Sequence, residues 1–228
     1  MSQDAPARKA TTAEICERIW LSIAENKLRP GTRLKEEQLS EVFGVSRARV
    51  RQVLTALEQD GLVCIIPNRG AFVSEPDVDE ARDVFFLRKQ IEERIVGRVI
   101  ERITDEQVAC LRKHTAKEYA AAARADKTAA IRLSGHFHLL LAELSGSSFL
   151  RGVLHDLITR SSLITVIYRQ AALHDCGPEE HSALVDQIEA RDKEGAIASM
   201  RAHLTHIESD LDLTRQERPT HDLSQIFL

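Results

Sequence analysis

Phe43-Gly44-Val45-Ser46-Arg47-Ala48-Arg49-Val50-Arg51-Gln52-Val53-Leu54-Thr55-Ala56-Leu57 is the stretch that decides the fold. Gly44 stops one short helix, and Ser46 caps the next. Val50, Val53, Leu54 and Leu57 recur at helical spacing, so one stripe of that helix is apolar. Arg47 and Arg51 lie one turn apart on the opposite side, near the positive N-terminal end. Such a helix buries one face in its own domain and turns a donor-rich face outward. This is what major-groove reading requires, because the arginine fork matches guanine O6/N7 or a pair of phosphate oxygens.

The flanking sequence completes the unit. Ile15, Ile19, Trp20 and Ile23 predict a first helix after Thr11/Thr12, ended by the turn Arg29-Pro30-Gly31. A second helix begins near Lys35 with Leu39, Val42 and Phe43 on one face, and Gly61 closes the third. Leu62–Ile66 and Ala71–Ser74 read as a hairpin about Pro67-Asn68-Arg69-Gly70. Helix, helix, turn, helix, hairpin is the order of a winged helix-turn-helix, placed at residues 11–75. Residues 1–10 are polar and read as a frayed tail, not a signal peptide. Residues 76–78 read as a linker, and residues 79–228 as an all-helical bundle. The expected helices are about 79–103, 105–124, 127–145, 149–173, 178–191 and 193–214, with Thr104–Gln107 as a capping box. The fold class is therefore mainly α.

Composition narrows the partners. Of 228 residues, 43% are hydrophobic and 29% charged, an ordinary globular balance, and no apolar run approaches the roughly 20 residues that span a bilayer. The net charge of −4 divides into +1 over residues 1–75 and −5 over the remainder, so bulk charge does not announce a nucleic-acid binder. The local cluster Arg47, Arg49 and Arg51, with Arg69 in the hairpin turn, does; alone it would also fit a solvated face. Cys16, Cys64, Cys110 and Cys176 lie 48, 46 and 66 residues apart, which excludes a disulfide scaffold or a cysteine zinc finger and fits a reducing cytoplasm.

Residues 11–74 resemble the N-terminal domain of GntR-family bacterial transcription regulators. The resemblance rests on Arg29-Pro30-Gly31-Thr32-Arg33-Leu34, Gln38-Leu39-Ser40-Glu41, Phe43–Arg47, Val50-Arg51, Gly61-Leu62-Val63 and Asn68-Arg69-Gly70-Ala71-Phe72-Val73. It implies that Ser46, Arg47, Arg51, Asn68, Arg69 and Gly70 contact double-stranded DNA. The family commonly has Thr-Pro where this chain has Ala48-Arg49, so Arg49 adds a cation to the DNA face and implies a different operator preference.

Residues 79–215 resemble the helical effector domain of the FadR-like (FCD) branch of that family. The matching stretches are Leu87-Arg88…Ile91-Glu92, Phe137-His138…Leu144-Ser145-Gly146 and Glu180-His181…Met200-Arg201…His203-Leu204. The resemblance implies that His138, His181 and His203 hold a divalent metal, which in turn holds a small carboxylate effector. Imidazole suits zinc or nickel. The family has Asp or Asn one turn before the first histidine; here stands Ser134, a poor neutral ligand left as an effector contact. His136 points elsewhere on the helix and cannot replace it. A metal-free pocket lined by the histidines stays open as an alternative. Arg88 is expected to meet the effector carboxylate, the other reading being an Arg88–Glu92 surface pair. No Asp or Glu accompanies the histidines in a motif for a general base, which weighs against the competing reading, a metal-dependent hydrolase. A metal ion without a protein carboxylate would keep its charge, so metal and effector are expected to bind cooperatively. The expectation is a ligand-responsive homodimer on a palindromic operator, not an enzyme.

Overall fold

The computed structural model describes residues 10–169 and 177–214. The tail at 1–9, together with His174, Cys176 and His221, lies outside them. Helix α1 (Thr12–Ala24) starts at Thr11, whose side chain accepts the Glu14 N–H while Glu14 caps the Thr11 N–H in return. Strand β1 (Arg33–Leu34) precedes α2 (Glu36–Phe43), which ends at Gly44 with φ 63°. Helix α3 (Arg47–Gln59) is capped by the Ser46 side chain. Strands β2 (Val63–Ile66) and β3 (Gly70–Val73) form the wing.

The sheet is antiparallel in the order β1-β3-β2, with Arg33 opposite Phe72 and Val63 opposite Val73. The hairpin expectation omitted β1, whose two residues are too few to display alternation. Ile15, Ile19 and Ile23 of α1 pack on Val50, Val53, Leu54 and Leu57 of α3, with Leu62, Val63 and Val73 closing the core. Val42 departs from its expected place: it is 69% exposed, and Leu39 and Phe43 alone carry the inner side of α2.

Among the described residues the remainder is helical: α4 (Val78–Ile100), α5 (Asp105–Ala123), α6 (Lys127–Leu144), α7 (Ser148–Tyr168), α8 (Pro178–Glu189) and α9 (Lys193–Ser209). Asp77, Thr104, Asp126, Ser147 and Asp192 accept N–H bonds at five of the starts, and Pro178 takes the first position of α8. Three helices are shorter than their periodicity suggests. Helix α4 stops at Ile100 instead of about 103, and α9 at Ser209 instead of about 214. Helix α7 stops at Tyr168 because Arg169 turns extended and bridges to Leu211; residues 170–173 of its expected span lie outside the described residues. Val96, Leu111, Phe137, Leu141, Leu154, Val185 and Met200 form the centre of the bundle.

The two halves share buried surface. Leu163 of α7 belongs to the core of the N-terminal half, and Trp20 of α1 stands 3.9 Å from where a Cβ on Gly135 of α6 would lie. Arg160 of α7 lies over Gly61 of the winged unit, its guanidinium carbon 2.5 Å from where a Cβ there would lie, and the Tyr168 hydroxyl donates to the Pro76 carbonyl of the linker at 3.0 Å. Helices α6 and α7 therefore touch both the bundle core and the winged unit. No described helix is long and apolar enough to cross a membrane.

Candidate functional site

Two assemblies carry chemistry, and the first is the outward face of α3. Val50, Val53, Leu54 and Leu57 are buried, which fixes the roll of the helix and leaves Arg47, Arg49 and Arg51 exposed. Ser46 spends its side-chain oxygen on the Arg49 N–H at 3.2 Å. Two of the arginines already have partners: Arg47 pairs with Glu37, and Arg51 Nε donates to both Glu36 oxygens at 2.9 and 3.0 Å. These pairs lie at the surface, where such contacts are worth at most about 1 kcal/mol, so phosphate or a base edge can displace them. At the wing, Asn68 has φ 62° and Gly70 φ 104°, both left-handed, which makes the tip tight. Arg69 lies 5.9 Å from the Phe72 ring and Arg33 lies 6.0 Å from it. Arg33 is a cation that the sequence reading did not place here; its pairing with Phe72 through β1 brings it to the wing.

The second assembly is buried. His138 on α6, His181 on α8 and His203 on α9 are 2%, 2% and 4% exposed. Their Nε2 atoms converge: His203 Nε2 lies 3.4 Å from that of His181 and 3.3 Å from that of His138. Each Nδ1 faces a carboxylate. His138 Nδ1 meets Glu92 of α4, His181 Nδ1 meets both oxygens of Glu118 of α5 at 3.0 and 3.1 Å, and His203 Nδ1 meets Glu180 of α8 at 2.6 Å. A carboxylate oxygen accepts, so a ring in its neutral form donates Nδ1–H outward to its glutamate and keeps its Nε2 lone pair inward. In that form the three Nε2 acceptors face one point. Phe137 stacks on His181 with ring centroids 4.0 Å apart and holds that ring flat.

This donor set fits a metal ion. Bonds of about 2.05 Å at tetrahedral angles subtend nitrogen–nitrogen edges of about 3.3 Å, as Zn²⁺ prefers. Zinc and nickel both take imidazole, and three neutral ligands leave positions open. Burial foremost pushes the His138 imidazole down to about 3, the nearby Glu92 working against the shift, so at neutral pH the ring is unprotonated and ready to ligate. Burial likewise carries His181 well below its usual range. Burial works to raise Glu92, but His138 and Arg88 outweigh it and hold the carboxyl down at about 2. Glu118 has weaker counter-charges, and burial pushes it up to about 7.

The carboxylates correct the sequence reading in two respects. The sequence reading finds no general-base motif beside the histidines and does not foresee the three carboxylates that converge there from α4, α5 and α8. It also treated a bound divalent charge as uncompensated, whereas Glu92, Glu118 and Glu180 surround it one shell out. None of the three can serve as a general base on a substrate, because all are engaged on the outer nitrogens. Arg88 is neither a surface partner nor an open hand. It is 5% exposed, its Nε and Nη2 lie 2.9 and 2.8 Å from Glu92 Oε1, and its Nη1 donates to Ser161 Oγ at 3.0 Å. Ser134 is half-buried one turn before His138 and makes no hydrogen bond to any of the three histidines. His136 is exposed on another side of α6, as its spacing requires. A second potential ligand group, Asp60, His155 and Asp156, lies at the seam between the halves but is half-buried to exposed.

Both halves of the chain match known family models. Residues 11–73 match the model for bacterial regulatory proteins of the gntR family, and residues 83–206 match the FCD domain. The chain belongs to the GntR family, with an FCD domain. It is 28% identical to an uncharacterized HTH-type transcriptional regulator, YdhC, of Bacillus subtilis strain 168, over 81% of this chain and 83% of the relative. It is also 28% identical to the HTH-type transcriptional repressor RspR of Escherichia coli K12, over 82% and 83%. The solved structure of E. coli McbR/YncC superposes with a TM-score of 0.74 at 21% identity, covering 86% of this chain and 94% of that one. This GntR-family chain is thus a DNA-binding transcriptional regulator of winged-helix and FCD type, and not an enzyme.

Proposed function

We propose that this regulator binds a divalent metal, zinc or nickel, through His138, His181 and His203, and that a small organic acid joining that site sets its affinity for a palindromic operator. The observation carrying the reading is the convergence of three Nε2 atoms, each on a ring whose opposite nitrogen meets a carboxylate. A bound ion would supply positive charge and open positions for a carboxylate. The residues do the rest. Glu92, Glu118 and Glu180 hold the tautomers and offset the charge, which weakens the obligatory cooperativity expected from Ser134. Ser134 and Arg88 remain the candidate effector contacts, with Arg88 first having to relax its hold on Glu92.

Operator reading falls to Ser46, Arg47, Arg49 and Arg51 of α3 and Asn68, Arg69 and Gly70 of the wing, in a homodimer that presents two copies to two half-sites. An effector can act only through a difference in affinity between two arrangements of the protein. A contiguous polar chain supports one route. His138 bonds Glu92, Glu92 bonds Arg88, Arg88 bonds Ser161 on α7, and Leu163, two residues on, sits in the core of the DNA-binding unit. Helix α6 supports a second route, since His138 and the Trp20 contact at Gly135 lie within one turn of each other. The test is calorimetric titration of chelator-treated protein with Zn²⁺ or Ni²⁺. One ion per chain in wild type and none in His181→Ala is the expected result; no binding by wild type refutes the reading.

A further inference from the structure

The three histidines are nearly sealed, so an ion must cross protein to reach them, and a metal site requires an entry path. The carboxylates around the site are not equally covered. Glu92 on α4 is 1% exposed and Glu118 on α5 6%, whereas Glu180, in the first turn of α8, is 34% exposed. Each of its two oxygens meets a different histidine. Its Oε2 accepts from His203 Nδ1 at 2.6 Å, and its Oε1 accepts from His206 Nδ1 at 2.8 Å. His206 lies in the last turn of α9, with its side chain 44% exposed, on an open groove also lined by Ala198, Ala202, Thr205, Ser209 and Arg201, whose charge Glu93 holds. One carboxylate thus touches a buried histidine of the trio with one oxygen and a solvent-facing histidine with the other.

We infer that Glu180 and His206 form an outer landing site, through which a divalent cation enters and leaves the three-histidine pocket. The inference rests on the metal reading above. A carboxylate oxygen and an imidazole nitrogen suit zinc or nickel, and this pair joins solvent to a ring of the trio. Glu180 is the most exposed of the three carboxylates and belongs to α8, so a turn of its side chain that releases His206 and passes the ion to the pocket leaves α4 and α5 in place. During the transfer His203 loses one outer hydrogen bond, while Glu92 and Glu118 keep the other two rings fixed. A landing site lowers the barrier in both directions. It therefore changes the rates of uptake and release together and leaves the equilibrium affinity alone, which separates it from a purely structural role in orienting His203.

The experiment is stopped-flow uptake of Zn²⁺ by metal-free full-length protein, with release followed into a fluorescent zinc chelator. His206→Ala keeps the Glu180–His203 bond and lies at the surface, so it folds. It should slow uptake about tenfold or more, as loss of a focusing ligand pair does, and slow release equally, with the affinity unchanged. His206→Asp restores a ligand and should recover both rates. Wild-type rates in His206→Ala, with one zinc still bound, overturn the landing site and leave the metal reading standing. A lowered affinity at unchanged uptake also overturns it, since that assigns the pair to orienting His203. Absence of zinc binding by wild type ends both.

Discussion

Replacing Glu92 with glutamine perturbs two buried groups at once. Arg88 and Glu92 have side chains 6% and 1% exposed, and Nη2 lies 2.8 Å from Oε1. Glutamine leaves the guanidinium buried without its anion, and removing one partner of a buried ion pair costs about 3–5 kcal/mol. Ser161 retains one hydrogen bond to Arg88 but supplies no charge. The loss at His138 is smaller, because the amide oxygen still accepts from Nδ1 and only the charge assistance goes, about 1 kcal/mol. For a chain of this size, at about 2–4 °C per kcal/mol, the melting temperature should fall by roughly 10 °C or more. Arg88→Met combined with Glu92→Gln removes both charges and should recover most of that loss. Thermal and urea unfolding of the chelator-treated protein, followed by circular dichroism at pH 7.5, measures both variants. A loss below about 1 kcal/mol in Glu92→Gln, or a double variant as unstable as the single one, would refute the buried-pair argument.

Further outcomes follow from the same geometry. Arg47→Ala or Arg51→Ala should weaken operator binding by about 1–3 kcal/mol in fluorescence anisotropy. Arg69→Ala should weaken binding to all sequences and flatten its salt dependence; steepening of that dependence would contradict a phosphate contact. Gly135→Ala fits, since the added methyl lies 3.6 Å from Ile158 Cγ2 and 3.9 Å from Trp20, whereas Gly135→Leu must push α1 off α6 and change operator affinity without effector. In metal-free protein the depressed histidines, His138 and His181, bind protons in the unfolded chain only, so stability falls as pH drops below about 6.5. Glu118, held up at about 7, opposes this by taking up a proton in the folded state between about 7 and 4.5. Glu118→Gln should therefore lose stability more steeply between pH 6.5 and 5 than wild type, by about 1.4 kcal/mol per pH unit, and parallel unfolding curves would show that Glu118 does not titrate there.

The reading helix was legible because one segment states its burial, its cap and its charge together. Val50, Val53, Leu54 and Leu57 face in, Ser46 starts the helix, and the arginines have nowhere to go but out. The wing was legible as a hairpin, but β1 was not, because Arg33-Leu34 becomes a strand only by pairing with Phe72 and Ala71. The histidines became a group through family resemblance alone, since nothing in spacings of 43 and 22 residues brings α6, α8 and α9 to one point. The carboxylates were missed for a different reason: Arg88 and Glu92, one turn apart, look like an ordinary surface pair. A signal was nonetheless present. Arg88 and Glu92 continue the stripe of Ile95, Val96 and Val99 on α4, and Glu118 continues that of Val108, Leu111 and Thr115 on α5. Charged residues at core positions of a helix mark a buried polar site, because burial without partners is costly.

The central claim is that the three-histidine pocket controls operator binding. Its most direct test is fluorescence anisotropy with an operator fragment recovered from DNA that the protein itself retains. Wild type and His181→Ala are titrated without additions, with Zn²⁺, and with Zn²⁺ plus a panel of small organic acids. Zinc with at least one acid should shift the operator affinity of wild type by about 5–150-fold, the usual range of coupling between two sites, and leave His181→Ala unmoved. An equal shift in both proteins, or none in wild type once zinc is bound, would contradict the account.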